Sequence, residues 1–76
     1  MLVRFFLIVY DRKRRHIDAL EEFGPSERAA ALERRFEFER TLNGDGNIEV
    51  VVLGGANLDT IKRTHSRYFG IQPTTR

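Results

Sequence analysis

The chain has 76 residues, of which 41% are hydrophobic and 32% charged, and its formal net charge is +2. These values are typical of one small soluble domain and exclude a disordered chain or two separate cores. The absence of cysteine excludes disulfides and thiolate metal sites, so we expect the stability of this small core to come from packing or self-association.

The first predicted element is a strand over residues 2–10, LVRFFLIVY, rich in aromatic and β-branched side chains. Both of its faces are mainly apolar, which predicts a central strand covered on both sides. One face carries Val3, Phe5, Leu7 and Val9, and the other carries Leu2, Arg4, Phe6, Ile8 and Tyr10. The run is too short for a membrane span and no cleavage site follows, so we expect neither a membrane segment nor a secretory signal, and a cytoplasmic location.

A charged turn and a second strand follow. Asp11 can close an Asx-turn over residues 11–15, and residues 16–23 alternate only in part, with many charges. Such a pattern is typical of an edge strand protected against pairing with another chain. We therefore expect an antiparallel hairpin with the second strand at the edge of the sheet.

The next predicted element is a long helix between the Gly24–Ser26 break and the left-handed-capable residues 43–46. Its apolar residues form two flanks with Arg28, Arg35 and Glu39 between them, an arc wider than one sheet contact requires. The first flank contains Ala29, Leu32 and Phe36, and the second contains Ala31, Phe38 and Leu42.

Residues 48–53, IEVVVL, predict a second buried strand, which ends at Gly54 and Gly55. Asn57 then reads as the N-cap of a closing helix over residues 58–69 that Gly70 terminates. Residues 1–70 therefore form a single α/β domain, and residues 71–76 form a flexible tail.

The resulting fold class is α+β, a two-layer β-β-α-β-α arrangement. We expect a three-stranded mixed sheet in order 2-1-3, with the first strand antiparallel to both neighbours and both helices packed on one face. The uncovered face would then expose Phe6, Ile8 and Tyr10, an apolar patch large enough to be an interface. If the helices lie on opposite faces instead, this patch disappears.

Self-association as a two-fold dimer is the favoured hypothesis, and the chain is then a non-enzymatic protein-interaction module that could also bind a larger protein partner. The candidate interface residues are Phe6, Ile8, Tyr10, Arg35 and Phe38. Arg35 has i,i+4 spacing to Glu39, and it is read equally well as an interface arginine or as a side chain that snorkels over the sheet edge.

A basic nucleic-acid-binding protein is the alternative hypothesis. Its candidate residues are Arg12, Lys13, Arg14 and Arg15 in the hairpin turn, with Lys62, Arg63 and Arg67 in the last helix. Nearby acids at Asp11, Asp18, Glu21 and Glu22 reduce the local excess of positive charge, which instead favours a solvated turn.

The sequence gives little indication of a catalytic or metal-binding role for either histidine. His65 lies on the apolar stripe of the last helix and is read as a core or interface residue, with catalysis as a residual hypothesis. His16 and Asp18 could supply two metal ligands, but a third is not fixed. Gly54 and Gly55 lack the rest of a phosphate-binding motif. We therefore predict no catalytic residues, no metal and no cofactor.

Overall fold

A computed structural model describes residues 2–42 and 46–69 of the chain. The elements follow the predicted order: β1 (Arg4–Asp11), β2 (His16–Phe23), α1 (Arg28–Thr41), β3 (Ile48–Gly55), α2 (Leu58–Thr64) and a 3-10 helix (Ser66–Phe69). The predicted helix stop at residues 43–45 and the predicted Gly70 terminator and tail at residues 71–76 lie outside the described residues.

The three strands form one sheet in the order β2-β1-β3, as the sequence predicted. β1 is antiparallel to both neighbours, so β2 and β3 run parallel to each other. Leu7 pairs with Glu21 on one side and Val52 on the other, and a bulge follows Val9 in the β1–β2 pairing. Because both hydrogen-bonded pairs are antiparallel, the sheet is antiparallel rather than mixed, while the α+β class and the strand order are confirmed.

β1 is the centre of the molecule. Five consecutive residues of this strand, from Phe6 to Tyr10, are at most 6% exposed. Because successive side chains of a strand point to opposite faces, burial of the whole run means that both faces of the sheet are covered. The prediction of a central, doubly covered strand is confirmed.

The two helices lie on opposite faces of the sheet. Arg34 of α1 hydrogen-bonds Glu21, which pairs with Leu7, so α1 covers the Leu7 face. On the other face, Ile61 of α2 and Tyr68 of the 3-10 helix form one buried cluster with three β1 side chains, Phe6, Ile8 and Tyr10. This arrangement differs from the one-sided packing expected from the sequence.

This packing contradicts the predicted interface at Phe6, Ile8 and Tyr10. The three side chains are 1%, 0% and 6% exposed, because Ile61 and Tyr68 cover them within the same chain. Tyr68 packs edge-on against Tyr10 with ring centroids 5.1 Å apart. These residues form core, and no apolar patch remains at their position.

The closing segment is a short helix and a turn rather than one helix over residues 58–69. Asn57 caps α2 as predicted, since its Oδ1 accepts a hydrogen bond from Thr60 N at 2.9 Å. α2 ends at Thr64, and Tyr68 N donates to His65 O in the 3-10 helix that follows. The tighter winding coincides with the placement of Tyr68 on Tyr10, a tertiary contact that overrides the helical pattern.

The connections at the other element ends are defined by local hydrogen bonds. Asp11 Oδ1 accepts from Lys13 N and Arg14 N, both at 3.0 Å, which confirms the Asx-turn. α1 begins at Arg28, later than the sequence suggested, and Glu27 at its N-cap makes no side-chain cap hydrogen bond to the helix. Its carboxylate instead accepts from Gly24 N at 2.6 Å.

Candidate functional site

The first candidate surface is the outer edge of β3, one of the two edges of the sheet. Among the described residues, no strand pairs with this edge, because β3 has only β1 as a neighbour. The strand has eight residues, IEVVVLGG, of which only Glu49 is charged. A long edge strand with so little charge presents unpaired N–H and C=O groups that another strand can bind.

The opposite edge, β2, is protected by contrast. Its exposed positions include His16, Asp18 and Glu22, and Glu21 carries a further charge. Glu22 forms an ion pair with Arg4, and His16 Nε2 lies 2.6 Å from Asp18 Oδ1. Charged side chains on an edge strand disfavour pairing with another chain. The two edges of this sheet therefore differ strongly in what they offer to a partner.

α1 leaves one flank uncovered beside the β3 edge. The helix packs equally against β1 and β3 and less against β2. Arg34 faces β2 through Glu21, so the side of α1 away from Arg34 faces β3. We call this side the outer flank of α1; it consists of Leu32, Arg35, Phe36 and Glu39. Phe36 of this flank is 53% exposed.

The two candidate interface residues on α1 behave differently. Arg35 lies on the outer flank, and its Nε donates to Glu39 Oε2 at 3.3 Å, so the predicted i,i+4 pair is present. Phe38 is half-buried, and the guanidinium of Arg34 lies 4.5 Å from its ring centroid. Phe38 thus belongs to the packed side of the helix, whereas the side chain of Arg35 is 41% exposed and paired with Glu39.

A polar network closes the end of the sheet where β3 begins. Tyr68 OH donates to Glu49 Oε2 at 2.6 Å, and Arg67 Nη2 donates to the same oxygen at 2.9 Å. Arg67 Nη2 also donates to Tyr68 OH at 2.7 Å, while Arg12 Nε donates to Glu49 Oε1 at 3.3 Å. One carboxylate therefore joins the hairpin turn, β3 and the 3-10 helix.

The network shifts the ionisation of its two acids in opposite directions. Burial acts to raise the pKa of Glu49, but hydrogen bonds from Tyr68 and Arg12 and the charge of Arg67 outweigh it, so this pKa lies below its ordinary value. Burial and the hydrogen bond to Glu49 raise the pKa of Tyr68 to about 12. At neutral pH the carboxylate is ionised and the phenol is protonated, which is the pairing that the geometry requires.

The seven candidate nucleic-acid-binding residues do not form one continuous basic patch. Arg12 and Arg67 share Glu49, and Arg14 lies 3.8 Å from Asp11. Lys13 and Arg15 are exposed at the hairpin turn. Lys62 and Arg63 line a separate groove of about 420 Å³ with Asn57 and Asp59. Acids interspersed among the bases reduce the electrostatic footprint that nucleic acids require.

The histidines lie in two different surroundings. His65 Nδ1 is 2.9 Å from Thr64 Oγ1, and its ring stacks on Tyr68 with centroids 6.4 Å apart. His16 pairs with Asp18 and borders a groove of about 220 Å³ that Arg15, Ile17, Tyr68 and Phe69 complete. Within residues 2–42 and 46–69, no group of three or more His, Cys, Asp or Glu side chains could hold a metal ion.

Comparisons with known proteins return no match. No protein-family model matches the sequence, and no curated protein and no solved structure is significantly similar to it. In the described part of the chain, no helix is both long enough and apolar enough to cross a membrane.

Three features of the site were not identified as functional from the sequence. Glu49 is the single charge of an otherwise apolar strand, which is itself a signal of a partner for the carboxylate. The apolar run 48–53 predicts a buried strand, because continuous apolar strands are usually covered, and so does not reveal the open outer edge of β3. The sequence places Phe36 on an apolar flank of the helix, but only the structure shows that its side chain is exposed.

Proposed function

We propose that this chain is a non-enzymatic protein-interaction module that associates by strand addition at the outer edge of β3. The observation that carries the proposal is the contrast between the two edges: β2 bears charges along its length, whereas β3 bears only Glu49. Backbone hydrogen bonds to an added strand supply affinity in this mode of recognition, and neighbouring side chains supply specificity.

The single charge of β3 does not oppose strand addition. Glu49 is engaged by Arg12, Arg67 and Tyr68 on the α2 side of the sheet, and its side chain is only 16% exposed. An incoming strand therefore meets a carboxylate that is already neutralised within its own chain. The remaining β3 side chains from Val50 to Leu53 are half-buried and apolar, as suits contact with a second strand.

The proposal is tested with two edge variants of the same chemistry. Val52→Lys places a charge in the middle of the β3 edge, and Leu20→Lys places the same charge in the middle of the β2 edge. Two readouts are followed over a protein dilution series: solution mass by light scattering, and anisotropy of a fluorescent peptide of residues 47–56 with two added terminal lysines. Circular dichroism confirms that both variants are folded.

We expect the wild type and Leu20→Lys to associate, with copies of the chain or with the peptide, and Val52→Lys to do so at least about tenfold more weakly. Equal association of Val52→Lys and the wild type would overturn the proposal. So would the absence of both kinds of association up to about 1 mM protein, a concentration that corresponds to about −4 kcal/mol of binding free energy.

A further inference from the structure

We infer that the partner of the β3 edge is a second copy of this chain, in a two-fold dimer that joins the sheets into six strands and packs the outer flanks of the two α1 helices together. This inference rests on the proposed function and adds the identity and geometry of the partner. In this dimer the strands of the joined sheet follow the order β2-β1-β3 in one copy and then β3-β1-β2 in the second copy.

The position of α1 on the sheet fits such a dimer. α1 packs against β1 and β3 to a similar extent, so we place its axis midway between them, about half a strand spacing inside β3. Strands in a sheet are about 4.8 Å apart, and a two-fold axis between paired β3 strands lies half a spacing outside them. The two α1 axes are then about 10 Å apart, which is the usual distance for packed helices.

The residues of the outer flank are complementary to their own symmetry copies. Arg35 precedes Glu39 along the helix, and a two-fold axis reverses this order in the second copy. Two antiparallel flanks therefore set the arginine of each copy towards the glutamate of the other. Phe36, 53% exposed in the single chain, and half-buried Leu32 supply the apolar contact between these pairs.

The other face of the sheet leaves room for the second copy. Ile61 of α2 lies against Gly55, where an added Cβ would be 2.8 Å from Ile61 Cδ1, so α2 sits over the end of β3. The following 3-10 helix crosses to β2. A two-fold axis level with the middle of β3, half a strand spacing outside it, places the two α2 helices over opposite ends of the paired strands and so away from each other.

The test exchanges charges on the outer flank. Arg35→Glu gives a chain with two acids on the flank, and Glu39→Arg gives a chain with two bases. Each variant alone sets like charges against each other twice in the dimer, and an equal mixture of the two sets opposite charges together. Native mass spectrometry and sedimentation distinguish homodimers from heterodimers when one variant carries a heavy-isotope label.

We expect a dimer for the wild type, at least about tenfold weaker homodimers for each single variant, and recovery of wild-type affinity to within about threefold in the heterodimer. Unfolding in urea at low protein concentration separates this effect from helix stability, because both variants place like charges at i,i+4 within their own helix. A chain ending at residue 69 is measured alongside them.

Three results would overturn the inference. A monomeric wild type that binds the peptide through β3 would leave the proposed function intact but exclude the second copy. If both charge variants dimerise with the affinity of the wild type, while Val52→Lys does not dimerise, only the pairing of the α1 helices would be excluded. Dimerisation only after removal of residues 70–76 would identify that segment as the occupant of the edge in the whole chain.

Discussion

The carboxylate of Glu49 links three separate parts of the chain. It accepts hydrogen bonds from Arg12 in the hairpin turn and from Arg67 and Tyr68 in the 3-10 helix. A buried or half-buried charge with several donors is stabilised only while all of its partners remain in place. The network therefore couples the position of Tyr68 on the core to the ionisation of two side chains.

Replacing Tyr68 with phenylalanine should expose this coupling. The raised pKa, about 12 in the folded chain against 10.0 for the ordinary phenol, means that the folded state holds the proton more tightly. Its contribution to stability is complete below pH 10 and is lost as the pH rises towards 12. Tyr68→Phe should cost about 1–2 kcal/mol at pH 7, because Glu49 and Arg67 lose a partner.

Urea unfolding of both proteins between pH 7 and pH 12 measures this effect. The difference in the free energy of unfolding between wild type and variant should fall from about 1–2 kcal/mol towards zero as the pH rises from 10 to 12. Other titrating groups are common to both proteins and cancel in the difference. A constant difference across this range contradicts the assignment of the proton to Tyr68.

At the scale of the elements, the local sequence pattern predicted the type of each helix and strand well. It predicted less well which surface each element packs against. The apolar run of β1 predicted a central strand, because burial on both faces removes the alternation from the sequence. The charges of β2 predicted an edge, and Asp11 and Asn57 predicted their turn and cap through their own short side chains.

The face that α2 covers could not be predicted in the same way. The right-handed rule for crossovers restricts α1 to one face of the sheet, but no such rule applies to α2, so only the tertiary contacts of Ile61 show that it covers the other face. The sequence did predict surplus apolar surface on α1, since two flanks exceed what one sheet contact uses. It assigned the interface to Phe6, Ile8 and Tyr10, whereas the exposed large apolar side chains of the described residues are Leu2, Val3, Leu20 and, on α1, Phe36.

The ends of α1 offer a test of its electrostatics with a matched pair of variants. The first turn of α1 contains no acidic residue and the last turn contains Arg40. The N-terminus of a helix favours negative charge and the C-terminus positive charge. Arg28→Glu should therefore stabilise the chain by about 0.5 kcal/mol, and Arg40→Glu, with the same change of charge, should destabilise it by about as much.

Thermal or urea unfolding at one low protein concentration measures both variants. Because the two substitutions change the net charge equally, a general effect of charge would shift both in the same direction. Opposite shifts that diminish at high salt identify the helix dipole as the cause. Equal shifts of one sign would show that net charge, rather than position along α1, controls the stability.

At the scale of the whole molecule, the charges are distributed in a way that disfavours nucleic-acid binding. Arg12 and Arg67 share an acid, Asp11 lies beside the hairpin turn, and Asp59 borders the groove with Lys62 and Arg63. Nucleic-acid affinity depends on cations that are free to displace counterions from phosphates. Arg12, Lys13, Arg14 and Arg15 are all exposed at the turn, but Arg12 and Arg14 lie beside acids, which reduces the basic footprint.

A chain of 8.9 kDa has a small core, and association at the β3 edge should contribute to its stability. Unfolding of a dimer into two free chains depends on mass action, so the thermal midpoint of the wild type should rise with protein concentration. For a domain of this size we expect about 3–5 °C for each tenfold increase, measured by calorimetry or circular dichroism.

Val52→Lys and Leu20→Lys provide the comparison for this measurement as well. The β3 variant should show a midpoint independent of concentration, because its edge no longer accepts a strand, and the β2 variant should retain the wild-type dependence. A midpoint that depends on concentration equally in all three proteins would place the association elsewhere on the molecule. A midpoint independent of concentration in the wild type would mean that folding of the single chain gains nothing from a second copy.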